Sequence, residues 1–378
     1  MPGWELIGEA EREAVTRLFD ADPAQALVNK TVVREFEQGC AAALCVPEAV
    51  AVCNGTAALK TGLKALGIGP GDEVITQAHT FVATVEAIVD VGATPVIAEI
   101  DDTLNMDPTD VARKITPRTK ALLPVHMLGA PCDMTAVMDL AQRHRLFVVE
   151  DTAQAFLGSY HGWALGTIGD VGCFSFSYSK LLTTGEGGLV ICRDHVLLAR
   201  ARAYHDHGHD SNPSAPSRGQ DTHTNGGMNY RMSALHAAVG LAQLAKVEES
   251  LKVHRAHAHH LRGLLRARLP GVVFRRSLDE AGDIGDAVVL LLDTETQAQR
   301  VARWLFEQDG IRLKNLPDAL NWHDAGLWEH LLGPQADTLG RSGAILRRAV
   351  ALQVCYRWGE ADITQVADAV VAAVKGAL

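Results

Sequence analysis

From residue 48 to about 240, short apolar runs alternate with stretches whose apolar positions recur every three or four residues. AVAVC at 49–53 leads into a helical pattern at 57–66, and VITQ at 74–77 into one near 81–91. PVIAEI at 95–100 follows, then KALLPVH at 120–126, a helical pattern at 133–144, and LFVVED at 146–151. Apolar runs of four to six residues set between helices predict strands covered on both faces, and hence a mostly parallel sheet. GCFSFS at 172–177 and GGLVICR at 187–193 predict two more strands joined by a tight glycine turn. Ahead of this region, residues 5–20 and 31–44 read as helices.

The alternation stops at residues 205–228, a polar stretch rich in Gly, Pro and Ser. A loop of that length in a compact enzyme is an active-site cover or a disordered segment. A helix from about 232 to 268 then links a large domain, residues 1–245, to a small C-terminal α/β domain, residues 246–378. The small domain has candidate strands VVFRR and AVVLLLD and candidate helices at 294–308 and 361–376.

Composition narrows the function classes. The 378 residues are 47% hydrophobic, enough for a large buried core, yet no apolar run reaches 18 residues. Charge is present from residue 5 onward, where a signal peptide would be apolar. The seven cysteines are scattered without a Cys-x-x-Cys pair, which suits a reducing cytoplasm. A net charge of −10 without a basic run argues against nucleic acid or an anionic membrane as partner.

Ligands of a parallel sheet collect at the carboxyl ends of its strands, and three unusual segments fall there. In Cys53-Asn54-Gly55-Thr56-Ala57, a strand end runs into a helix. Gly55 allows close approach, and the amides of Thr56 and Ala57 suit a phosphate, although an ordinary N-cap reads the same way. Asp151 ends an apolar strand, where a carboxylate is costly to desolvate without a positive partner such as a protonated pyridine nitrogen. A helix cap is the alternative. Gln154 follows, within reach of a ring hydroxyl. Lys180 lies behind Ser175, Ser177 and Ser179 and ahead of the turn Gly185-Glu186-Gly187-Gly188. A lysine there suits a Schiff base with an aldehyde cofactor, whereas a lone surface lysine would mean nothing.

Ninety-five residues separate Thr56 from Asp151, and 29 separate Asp151 from Lys180. With those motifs in that order the chain resembles the DegT/DnrJ/EryC1/StrS family of sugar aminotransferases, from residue 3 to about 245 and more weakly beyond. The resemblance implies a fold-type I pyridoxal 5′-phosphate enzyme that passes an amino group from L-glutamate or L-glutamine to a keto or aldehyde sugar. It implies that Gly55, Thr56, Ala57 and Ser175 hold the phosphate, that Phe81 stacks on the ring, and that Gln154 meets its hydroxyl. Asp151 then pairs with the ring nitrogen and Lys180 carries the cofactor. Asn229 would reach the phosphate of a neighbouring subunit, making a homodimer with its active site at the interface. A family branch with histidine for the lysine dehydrates sugars, and Lys180 disfavours that outcome. Aminocyclitol ketones and the hexoses of antibiotic pathways remain open as acceptors. Within the family, MPGWELIG, VIAEIDDTL, GTIGDVGC, DHGHD and NWH resemble the 8-amino-3,8-dideoxy-octulosonate transaminase-like members, while stretches 20–32 and 311–320 depart from them.

Other polar clusters carry weaker readings. Asp206-His207-Gly208-His209-Asp210 groups imidazoles and carboxylates as a metal site would, but its setting favours a loop in which His207 and His209 touch substrate, with no metal. Trp322 and His323 are candidate substrate contacts, and Arg231 is either a carboxylate fork or a structural ion pair. His126 reads as structural, and His254, His257, His259 and His260 read as a solvated helix face.

Overall fold

The structure, a computed structural model, describes residues 2–21, 23–24, 26–209, 226–309 and 311–377. Its strands are β1 (Val50–Val52), β2 (Glu73–Gln77), β3 (Thr94–Ala98), β4 (Thr119–Leu122), β5 (Phe147–Asp151), β6 (Ser159–Tyr160), β7 (Trp163–Ala164), β8 (Val171–Ser175), β9 (Gly188–Cys192), β10 (Val273–Phe274), β11 (Ala287–Leu291) and β12 (Ala349–Gln353). Seven of them form one sheet in the order β1-β9-β8-β5-β4-β2-β3. Pairing is parallel from β3 through β8, and only β9 runs against its neighbours. The mostly parallel α/β fold expected from the apolar runs is therefore present.

The continuity of those runs has a plain cause. On β5 the neighbours Val148 and Val149 enter cores on opposite faces, Val148 beside Ile75 and Leu140, Val149 beside Leu63 and Ile88. Helices cover both faces, so every position of β2 and β8 is buried and no polar alternation survives.

The helix Ala234–Arg268 is unbroken over 35 residues. Val247 and Leu251 pack with Phe36 and Phe176 by the large sheet, while Ala258, Leu261 and Leu265 enter the core of a second, antiparallel sheet, β10-β11-β12. The boundary expected at 245/246 thus falls inside one helix. The helices Glu295–Asp309 and Glu360–Ala377 cover the small sheet.

Two expectations need correction. The connection between β8 and β9 is not a tight turn but spans residues 176–187, with Lys180 in its middle. His254 is not on a solvated face: it is fully buried, with Nδ1 2.7 Å from the carbonyl of Ser250.

Candidate active site

At the carboxyl edge of the large sheet, β1 hands over to the helix Gly55–Ala65 through Asn54, whose Oδ1 accepts the Ala57 amide at 2.8 Å. Of the two amides read as free for a phosphate, Ala57 is therefore taken by the cap, and Thr56 is left with no hydrogen bond from its amide among the described residues. A Cβ on Gly55 would lie 2.7 Å from Cβ of Ser175 and 3.1 Å from its Oγ. Only glycine lets the helix start come this close to the end of β8, so Thr56 and Ser175 border one cradle.

Asp151 ends β5 and is almost fully buried. Its Oδ2 accepts from the Thr84 hydroxyl at 2.8 Å and its Oδ1 from the Ala153 amide at 3.1 Å. Turns follow it, so the helix-cap alternative has no helix to cap. Burial pushes its carboxyl pKa up, against the Thr84 and Ala153 donors and the Lys180 ammonium. Burial pushes the Lys180 amine down, against the attraction of Asp151. Desolvation thus moves each group away from its ordinary charge preference, and the charge of the other opposes it. Gln154 accepts the Leu128 amide on Oε1 at 3.0 Å, which orients its amide nitrogen.

Phe81 is 43% exposed at the N-cap of the helix Val82–Asp90. Trp322 stacks with it at 6.2 Å and 17°, and the His323 ring is 5.6 Å away. His323 is buried, with Nδ1 2.9 Å from the Ala319 carbonyl. Burial, with Lys180 and Lys314 nearby, takes its pKa down to about 4. Phe81, Trp322 and His323 thus share the neighbourhood of Lys180.

A second group assembles at the outer edge of β1. Arg231 bridges Val52 through the backbone, and its guanidinium pairs with Asp206. Of the two readings of Arg231, the structural ion pair is the one present. Asn229 bridges Asp206 and is exposed. His207 is exposed and His209 half-buried, their rings 6.2 Å apart. Among the described residues, no hydrogen bond or ring contact links Arg231, Asn229 or His207 to Asp151 or Lys180. Asp210 lies outside the described residues, among which no cluster could hold a metal ion.

His126 accepts the Cys132 amide on Nδ1 at 3.0 Å, so its Nε2 carries the proton and faces Glu150 at 3.1 Å. Glu150 also accepts the amides of Gly166, Ile168 and Gly169. The pair is structural. Sequence reasoning missed Thr84, although a hydroxyl one turn beyond Phe81, flanked by Val82, Ala83 and Val85, was the available signal. It also missed Lys314, buried against Asp286 and close enough to Lys180 for the two charges to repel.

The chemistry of this donor set fits pyridoxal phosphate: a phosphate cradle closed by Gly55, a buried carboxylate, an exposed aromatic face and a lysine of lowered pKa. Comparison with known proteins agrees. The profile of the DegT/DnrJ/EryC1/StrS aminotransferase family matches residues 6–371, and the chain belongs to that family, whose cofactor is pyridoxal phosphate. It is 34% identical to the spore coat polysaccharide biosynthesis protein SpsC of Bacillus subtilis over 98% of this chain and 96% of that one. It is 43% identical to the GDP-perosamine synthase of Caulobacter vibrioides over 57% of each chain. The aminotransferase of Psychrobacter cryohalolentis superposes with a TM-score of 0.88 at 28% identity, covering 99% of this chain and 98% of that one.

Proposed function

We propose that the protein transfers an amino group from L-glutamate or L-glutamine to the carbonyl of a sugar, using Lys180 and Asp151. The observation that supports this most is the buried Asp151 carboxylate at a strand end beside Lys180, in a family of aminotransferases.

When bound, pyridoxal phosphate supplies a carbonyl that condenses with amines and a protonated ring that draws in electron density. Asp151, its carboxylate fixed by Thr84 and Ala153, would hold the ring nitrogen protonated. Phe81 would lie against one face of the ring, and Gln154 would offer its amide nitrogen to the ring hydroxyl. Gly55, Thr56 and Ser175 hold the phosphate, and Ala57 contributes through the cap that orients the helix start. Lys180 would hold the cofactor through its side-chain amine. Its amine, with a pKa lowered by burial, would take a proton from the donor α-carbon and return one to the sugar carbon that receives the amino group.

The acceptor reading is a keto or aldehyde sugar, either linked to a nucleotide or of octose or octulosonate size. The name of the Caulobacter relative favours the first, and the placement of the Asn321-Trp322-His323 segment against Phe81 favours the second. His207, His209, Trp322 and His323 are the substrate contacts of this reading. The working unit is a cytoplasmic homodimer in which exposed Asn229 serves the partner's phosphate. No described helix is long and apolar enough to cross a membrane.

Borohydride reduction of the purified holoenzyme, followed by peptide mapping, should place the cofactor on Lys180, and Lys180→Ala should lose both the label and amine transfer. Label on another lysine would overturn the assignment.

A further inference from the structure

The connection 176–187 that carries Lys180 is tied mainly at its two ends, where Phe176, Thr184 and Gly187 hydrogen-bond one another. Leu181 and Leu182 are buried side chains and the Thr183 hydroxyl bonds to Phe176 and Gly185, but among the described residues the backbone of 178–183 makes two backbone–backbone hydrogen bonds. One is internal, from the Lys180 amide to the Ser177 carbonyl at 3.0 Å. The other comes from the far amino-terminal end: the Gly3 amide donates to the Lys180 carbonyl at 2.9 Å. A Cβ on Gly3 would lie 2.6 Å from that carbonyl oxygen and 2.9 Å from the Thr183 nitrogen, both backbone atoms that cannot rotate away.

Gly3 is itself anchored through the residues that follow it. Oε2 of Glu5, a buried carboxylate, accepts the amides of Tyr356 at 2.9 Å and Arg357 at 3.3 Å. Arg357 returns a bond from Nη2 to the Glu5 carbonyl at 2.6 Å, and Lys246 holds the Leu6 carbonyl at 2.7 Å. Residues 3–6 therefore form a strap from the lysine-bearing connection to the segment after β12. Beside the strap is a cavity of about 770 Å³ lined by Trp4, Glu5, Tyr178, Leu313, Cys355 and Trp358. Close packing does not fill that side, so the point contacts fix the register.

We propose that Gly3 is a positioning residue for Lys180, holding its carbonyl so that the amine can be delivered to the cofactor, and that Glu5 transmits the position of the 356–357 segment to that contact. The proposal rests on Lys180 being the cofactor lysine. A methyl at position 3 pushes the Lys180 backbone away, and a misplacement near 1 Å at a reacting group costs roughly ten- to a hundredfold in rate. Loss of one anchor at Glu5 gives a smaller loosening of the same kind.

The test uses holoenzyme of the wild type, Gly3→Ala and Glu5→Gln. Three quantities are read: the pH midpoint of the bound cofactor's visible absorbance, the single-turnover rate with L-glutamate, and the thermal unfolding midpoint. Gly3→Ala should move the absorbance midpoint and slow the single turnover by about tenfold or more, with unfolding little changed. Glu5→Gln should move both in the same direction by less. Wild-type absorbance midpoint and rate in Gly3→Ala overturn the proposal, and if that variant fails to fold, wild-type values in Glu5→Gln overturn it. Reductive labelling of the wild type tells the two failures apart. Label on another lysine removes the Lys180 reading and this one with it, whereas label on Lys180 with two unaffected variants removes this one alone.

Discussion

The Thr84 hydroxyl donates to Oδ2 of Asp151 at 2.8 Å across 67 residues of sequence, and it also meets the Thr80 hydroxyl at 2.7 Å. The buried carboxylate is thereby aimed by a side chain on the helix that begins at Phe81. Thr84→Val keeps the shape and deletes the donor. A hydrogen bond to a charged buried group is worth about 1.5–3 kcal/mol, so cofactor affinity should fall roughly ten- to a hundredfold. Asp151→Asn should be more severe, losing on the order of 10²–10⁴-fold in turnover, because a neutral amide cannot hold a pyridine nitrogen protonated. Cofactor titration by visible absorbance checks the first and steady-state kinetics the second. Wild-type affinity in Thr84→Val would reduce Thr84 to packing.

Asn229 offers a test of assembly. Lys180→Ala and Asn229→Ala should each be inactive alone and should partly recover activity when mixed and allowed to exchange subunits. One site of each mixed dimer then has both residues intact. Full activity in a monomer at high dilution would contradict the shared site.

The acceptor can be settled by comparing kcat/KM for octose-type and nucleotide-linked hexose ketones with glutamate as donor. Trp322 is 58% exposed and stacked on Phe81, so Trp322→Ala should raise the KM of the true acceptor about tenfold while leaving the glutamate half-reaction unchanged. A site shaped for eight carbons leaves buried polar groups unpaired by a shorter sugar, at about 1–3 kcal/mol each. Equal turnover of the hexose ketone would remove the octose reading and leave the aminotransferase standing.

Three buried imidazoles make stability fall with acid. Burial takes the pKa of His79 down to about 3 and those of His254 and His323 to about 4, against about 6.5 in the unfolded chain. Below about pH 6.5 the unfolded chain therefore binds protons that the folded one refuses. Their contribution is fully present above about pH 6.5 and is lost as pH falls to about 4 for His254 and His323 and about 3 for His79, the loss reaching about 2 kcal/mol each near pH 5. Urea unfolding at pH 7.5 and 5.0 should show the drop, and replacing His254 by Gln should shrink it. An unchanged pH dependence in that variant would mean His254 is protonated when folded.

Asp151 and Ser175 were legible as candidates because each ends an apolar strand, where a polar side chain has a desolvation cost that calls for a reason, and Lys180 because it stands among serines ahead of a glycine-rich turn. The parallel sheet was legible because burial on both faces erases alternation. What escaped depended on partners distant in sequence. Nothing near Thr84 announces Asp151, and nothing near His254 announces that its helix face is covered by the segment around Tyr356. Ala57 was misread as a free donor because Asn54, three residues earlier, takes the same amide that a phosphate would. β12 and the short helices from 320 to 346 went unread because segments of four to seven residues show too few repeats to fix a period.

The helix Ala234–Arg268 is a rod of about 52 Å at 1.5 Å per residue, and it sets a phase as well as a length. Each residue added to it turns everything downstream by about 100°. A chimaera joined near residue 246 with one residue too many would swing Leu261 and Leu265 out of the core they share with β11 and β12. Exchange of carboxyl-terminal units between relatives, as a route to new acceptor preferences, therefore has to conserve helical register to the residue or change it by whole pairs of turns.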